Sequence, residues 1–145
     1  MSNNRITIDE PFARRKHERF LAQEDAFVEL RDHRGKIGKI IEVSKGGLAF
    51  HYIDIGDRPK ESLELDIFLK KTGFRLEKLP AETVSDVEIT KTIHQGITTI
   101  RRHGVKFGKL TKSQKSRLEY FIRHFTTDET SNQKERGPLP KAAYQ

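Results

Sequence analysis

The sequence predicts an all-β fold, a small antiparallel β-barrel with a C-terminal α-helix and a flexible N-terminal arm. Three observations predict it. Short segments alternating apolar and polar residues recur between Asp25 and Arg102, glycine-containing turns separate them, and one late segment switches to helical periodicity. At 145 residues the chain has room for one core, and with 34% hydrophobic and 34% charged residues that core is lean.

Residues 1–24 show neither a helical stripe nor clean alternation, and Pro11 interrupts them, so they are expected to form the flexible arm. From Asp25 the pattern changes: Ala26, Val28 and Leu30 alternate with Phe27, Glu29 and Arg31. Asp32-His33-Arg34-Gly35 supplies a turn, and KIGKIIEV completes a hairpin. Ser44-Lys45-Gly46-Gly47 breaks this strand, and LAFHYI reads as the next. After a loop at Gly56 to Pro59, Leu63, Leu65, Ile67 and Leu69 line one face at period two. Phe74 and Leu76 continue beyond Lys71-Thr72-Gly73, and VSDVEIT and ITTIRR flank a connection from Lys91 to Gly96. Short strands at this spacing suggest a closed or nearly closed barrel.

The last element differs. Thr111 followed by Gln114 has the form of a capping box, and Leu118, Phe121, Ile122 and Phe125 recur at i, i+3, i+4 and i+7. A helix over about 111–125 is predicted, closing a barrel domain that spans 25–125. Residues 126–145 carry few large apolar groups and two prolines, which predicts a disordered tail.

Composition excludes several functions. The absence of cysteine removes disulfides, thiolate zinc sites and cysteine nucleophiles, and fits a reducing, cytoplasmic setting. No segment approaches the roughly 20 apolar residues of a membrane span, so no membrane insertion is expected. The six histidines lack any H-E-x-x-H or comparable pairing, which argues against a metal. Neither G-x-S-x-G nor a phosphate-loop sequence is present, and the carboxylates lack a context that would pair them for acid–base work, so no catalytic residues are assigned and no enzyme is expected. A net charge of +7 favours anionic partners. The cations concentrate at Arg14–Arg19 (RRKHER) and at Lys109, Lys112, Lys115, Arg117 and Arg123.

Two motifs carry the chemistry: Arg15-x-x-x-Arg19 in the arm, and Glu42-x-Ser44-x-x-Gly47 between the second and third strands. Arginine presents a planar fork of donors that grips phosphate or reads the O6 and N7 edge of guanine. A carboxylate at Glu42 accepts from the N1 and N2 donors of guanine, Ser44 donates to phosphate, and Gly46-Gly47 lets the backbone approach a ligand closely. Together these groups describe a receptor for a guanine-containing dianion.

With these motifs the sequence resembles the PilZ family of bacterial cyclic di-GMP receptors, whose pattern is R-x-x-x-R followed by D/N-x-S-x-x-G. The resemblance covers roughly residues 13–125 and includes GGLAF, RRHGVKFGKL and the closing helix. It implies a non-catalytic barrel, needing no cofactor, whose arm orders around cyclic di-GMP and changes how the domain meets a protein partner. By position, Arg15 and Arg19 would bind phosphate and guanine, Ser44, Gly46 and Gly47 would line the opposite wall, and Glu42 would take the guanine-reading position with one methylene more than the pattern. Arg14 holds the place associated with binding an intercalated pair of ligands. Arg102 and His103 on the late strand stand where a further ligand contact is placed.

Two alternatives stay open. One is a PilZ-like interaction module with little nucleotide affinity. The other is a small basic barrel binding RNA or single-stranded DNA, with Phe27, Phe50, Tyr52 and Phe74 as stacking platforms, although phenylalanines in so lean a core favour the interior.

Overall fold

Alternation in the sequence becomes alternation in burial. In the computed structural model, which describes residues 17–31, 36–56, 58–93 and 97–128, Ala26, Val28 and Leu30 are buried while Phe27 and Glu29 between them are partly exposed. These residues form β2 (Ala26–Leu30), preceded by a short β1 (Phe20–Ala22). The chain continues through β3 (Lys36–Val43), β4 (Gly47–Asp54), β5 (Ser62–Leu69), β6 (Arg75–Ile93) and β7 (Ile97–Phe107) to the helix α1 (Lys112–Phe125) and a final β8 (Thr126–Asp128). The predicted turn at 32–35 and the tip at 94–96 lie outside the described residues.

All strand pairs are antiparallel, in the order β2-β5-β6-β7-β4-β3, and β3 pairs back onto β2 to close a six-stranded barrel. Closure leaves these strands without the open edges that invite aggregation along their paired lengths. The interior is filled by Leu30, Ile40, Phe50, Leu65, Ile67 and Leu79, each fully buried. The fold class is the one the sequence predicts.

One difference is the length of β6. The sequence reading takes Phe74 and Leu76 and the segment VSDVEIT as separate stretches, whereas a single strand of 19 residues runs from Arg75 to Ile93. Its pairing with β5 shifts register between Leu65 and Ile67, so that Asp66 faces both Glu77 and Lys78, and Lys78 takes a positive φ of 57°. A bulge costs a ladder hydrogen bond and an unfavourable backbone conformation. Asp66 offsets both: its carboxylate accepts from the Lys78 amide at 2.9 Å, from Arg31 through both oxygens at 2.9 Å, and from Arg75 at 3.0 Å. Burial alone would raise the Asp66 pKa, but the Lys78 amide and the two guanidiniums outweigh it and hold the carboxyl below the usual range.

The helix begins as its sequence predicts. Thr111 Oγ1 accepts from the Gln114 amide and Gln114 Oε1 accepts from the Thr111 amide, both at 3.0 Å. The Gln114 side chain also donates to the carbonyls of Glu77 and Lys78, at 3.1 and 2.9 Å, which fastens the helix start to the bulge in β6. Leu118 and Phe121 are buried, and Phe74 stacks on Phe121 and contacts Phe125, with ring centroids 5.7 Å apart in each case. The helix thus closes the barrel at the β5–β6 turn.

Two further pairings extend the structure beyond the boundaries read from the sequence. Phe20–Ala22, read as part of the arm, pairs with β3, and Thr126–Asp128, read as the start of the tail, pairs with β1. Both are short and only partly apolar, so their strand character comes from tertiary pairing rather than from local pattern.

Two outcomes follow. Thr111→Ala removes one side of the capping box and is expected to cost about 1 kcal/mol in urea unfolding. Asp66→Asn is expected to lower the urea midpoint at pH 7. Because the folded pKa of Asp66 is depressed, its contribution is complete above the unfolded carboxyl value of about 4 and is lost as pH falls through the folded value. The gap between wild type and variant should therefore narrow in midpoints measured below pH 4.

Candidate ligand-binding site

The strand register assembles a continuous outer surface from residues far apart in the chain. Glu42 on β3 lies opposite Ala49 on β4, Ala49 opposite Gly104 on β7, and Gly104 opposite Ser85 on β6. Three small side chains in a row make a shallow floor. The next row, Lys39, His51, Arg102 and Val87, raises a cationic wall beside it.

Glu42 reaches this surface only because β3 carries a bulge. Ile40 pairs with Phe50 and Glu42 with Ala49, so Ile41 is the extra residue. Without it Glu42 would share the inward face of Ile40, two positions away. The bulge keeps Ile40 in the core and turns Glu42 outward, where its side chain remains 11% exposed.

The Ser44–Gly47 turn is held from within and from β7. The Ser44 amide donates to the Gly47 carbonyl at 2.8 Å, the Gly46 amide donates to Ser44 Oγ at 3.1 Å, and the Phe107 amide donates to the Gly46 carbonyl at 2.8 Å. A Cβ on Gly47 would stand 2.1 Å from the Val105 carbonyl oxygen, so no larger residue fits without moving backbone. As a donor the Ser44 hydroxyl makes, among the described residues, a long contact of 3.4 Å to the Gly47 carbonyl, which its proton can leave for a ligand.

Arg19 enters from the arm. Pairing of Phe20 with Val43 and of Leu21 with Glu42 clips the root of the arm to β3 and brings Arg19 beside Glu42. Arg19 Nη1 donates to Glu42 Oε2 at 3.2 Å, and Arg102 Nη2 donates to the same oxygen. Glu42 Oε1 is out of contact with solvent and has no hydrogen-bond partner among the described residues. The groove encloses about 760 Å³ and is bounded by Arg19, Glu42, Ser44, Gly47 and Arg102 together with His17 and Lys106. That volume falls within the range of small-molecule clefts, about 300–1,000 Å³.

Of the residues singled out in the sequence, Arg19, Glu42, Ser44, Gly46, Gly47 and Arg102 converge on this groove. Arg14 and Arg15 lie outside the described residues. His103 is not brought to the groove, which corrects the expectation that it contacts ligand. As the neighbour of Arg102 on a strand it points to the opposite face and is fully buried, with Nε2 2.9 Å from Thr83 Oγ1 and its ring 5.1 Å from Phe50. Its Nδ1 lies 3.3 Å from Asp86 without a hydrogen bond among the described residues, and Asp86 accepts from Tyr52 and Arg101. Burial lowers the His103 pKa despite that carboxylate, so the ring is neutral at pH 7.

His17 and Lys106 were not singled out. His17 sits between the two motif arginines and covers Gly46, whose Cβ would meet the imidazole at 2.6 Å. Lys106 follows Arg102 and Gly104 at period two, a signal that could have found it. Among the described residues no group of three or more His, Asp or Glu side chains is placed to hold a metal, and no helix is long and apolar enough to cross a membrane.

Comparison with known proteins follows the same outline. No curated protein matches the chain in sequence. Among solved structures, it is similar to the c-di-GMP-bound PilZ domain of YcgR from Escherichia coli, with a TM-score of 0.58 and 18% identity over 88% of this chain and 98% of that one. It is also similar to YcgR in complex with c-di-GMP (TM-score 0.57, 16% identity, 89% of this chain) and to MrkH of K. pneumoniae in its apo state (TM-score 0.54, 13% identity, 74% of this chain). It spans only 50% and 47% of those two chains. At such identities the likeness is one of fold. A model of the PilZ domain family matches residues 13–124, and on that match, which covers most of its length, the chain belongs to the PilZ domain family.

Proposed function

We propose that this chain is a non-catalytic, cytoplasmic receptor for cyclic di-GMP, whose arm closes over the ligand and changes how the domain meets a protein partner. The observation that carries the reading is the convergence of Arg19, Glu42, Ser44, Gly47 and Arg102 on one groove from three separate parts of the chain. Each group has a counterpart on the ligand. The guanidiniums of Arg15 and Arg19 meet phosphate or the guanine O6 and N7 edge, Glu42 meets the guanine N1 and N2 donors, and the Ser44 hydroxyl meets phosphate. The likeness to ligand-bound YcgR supports the same class of ligand.

The alternative of a polymer-binding barrel is disfavoured by where the aromatic rings lie. Phe50 and Tyr52 are buried, Phe74 packs beneath the helix, and Phe27 stacks on Phe68 at 5.8 Å with Lys70 over its ring. None lines the groove. A ligand with two charges should also show a much shallower salt dependence than a nucleic acid polymer.

Calorimetric titration with cyclic di-GMP tests the proposal: heat saturating at micromolar concentrations in moderate salt is expected. No heat would overturn the receptor reading in favour of an interaction module. Arg15→Ala and Arg19→Ala are each expected to cost about 2 kcal/mol of binding, the loss of a charge-assisted contact, and unchanged affinity in both would place the site elsewhere. The same titration is expected to saturate at two ligands per chain, reduced to one by Arg14→Ala.

A further inference from the structure

Glu42 is the only carboxylate that contacts both groove arginines in the described structure, and its two oxygens are used unequally. Oε2 receives Arg19 and Arg102 together, while Oε1 is excluded from solvent without a partner among the described residues. The arginines that would grip a phosphate are thus already neutralised by a carboxylate. The other acceptor of the same carboxylate, which would read a base, is closed to solvent. A ligand cannot use either group while this cluster stays intact.

We infer that Glu42 is an internal counter-ion that makes binding an exchange: the ligand phosphate takes Arg19 and Arg102 from Glu42, and the released carboxylate then selects the base. This inference rests on the receptor reading above and assigns Glu42 two opposing effects. It lowers the affinity of the groove for anions in general, because each must displace a carboxylate from charge-assisted hydrogen bonds. It raises the preference for guanine, because a freed carboxylate accepts two donors from the guanine edge, whereas adenine presents an acceptor at N1. The extra methylene of glutamate matters here. From β3 the longer side chain spans the floor to Arg102 on β7 while still meeting Arg19.

The charges around the cluster fit an exchange. Lys39 and His51 share the row of Arg102, and burial followed by the nearness of Arg102 and Lys39 lowers the His51 pKa. Lys39, His51 and Val87, the residues that share this row with Arg102, bring no carboxylate to it, so a phosphate is the natural replacement for Glu42.

The test is calorimetry on the full chain, wild type and Glu42→Gln, titrated with cyclic di-GMP and cyclic di-AMP at matched salt. Glu42→Gln is expected to tighten cyclic di-AMP binding about tenfold and to shrink the guanine-over-adenine preference by at least as much, the size of effect of one charge-assisted contact. Its affinity should also fall more steeply with salt, because mobile anions rather than Glu42 then neutralise the arginines and are released on binding. Glu42→Asp keeps the charge but shortens the reach, and should tighten both ligands several-fold with the guanine preference retained.

Binding by Glu42→Gln where the wild type binds nothing would overturn both readings, because the exchange requires the wild-type chain to release Glu42 to the ligand. An equal loss of affinity for both ligands in Glu42→Gln, or no gain in either variant, would overturn it while leaving the receptor reading standing. Absence of binding in wild type and both variants would overturn the two together.

Discussion

The extra residue in β3 between Ile40 and Glu42 is the constraint on which the groove depends. It lets one strand serve the core with Ile40 and Val43 and the surface with Glu42, which strict alternation forbids. Pairing Ile41 regularly with β4, without the bulge, would put Glu42 on the face of Ile40 and drive a carboxylate into a barrel filled by Phe50, Leu65 and Ile67. The groove then follows from register: small residues on three neighbouring strands form its floor, and the Ser44–Gly47 turn is pressed against β7 so closely that only glycine fits at 47.

The polar clusters of the barrel follow the same logic of irregularity and compensation. The bulge opposite Asp66 leaves the Lys78 amide to be satisfied by a side chain, and Arg31 and Arg75 keep that side chain ionised. Another register shift, between Thr83 and Ser85, lies next to the inward group of Asp86, Arg101, Tyr52 and His103. Asp66 and Asp86 each accept from more than one donor, as their desolvation requires.

How much was legible in the sequence follows from these features. Period-two alternation made β2 and β5 readable, strand-like composition made β4 readable, and the capping box with its apolar stripe made the helix readable to within a residue. The motif residues stood out because arginine, carboxylate, serine and paired glycines together suit a guanine-containing dianion, not because either spacing is rare. β7 was harder: Arg101, Arg102 and His103 are all polar, since the barrel lining there is a hydrogen-bonded cluster, and no apolar partner marked the inward face. His103 was accordingly placed on the wrong side. Bulges were invisible because they are properties of pairing, and β1 and β8 because three residues carry too little pattern to announce a strand.

Those two short strands join the ends of the molecule. The helix runs directly into β8, and among the described residues β8 pairs with β1 alone and β1 is held to β3 by the pairs Phe20 with Val43 and Leu21 with Glu42. β1 therefore carries two attachments at once: Phe20 and Leu21 set Arg19 beside Glu42, and the same strand gives β8 its pairing beyond the helix. Displacing β1 would withdraw Arg19 from Glu42 and strip β8 of that pairing, while Phe125 against Phe74 still holds the last turn of the helix. The groove and the segment after the helix are thus built on one strand of three residues.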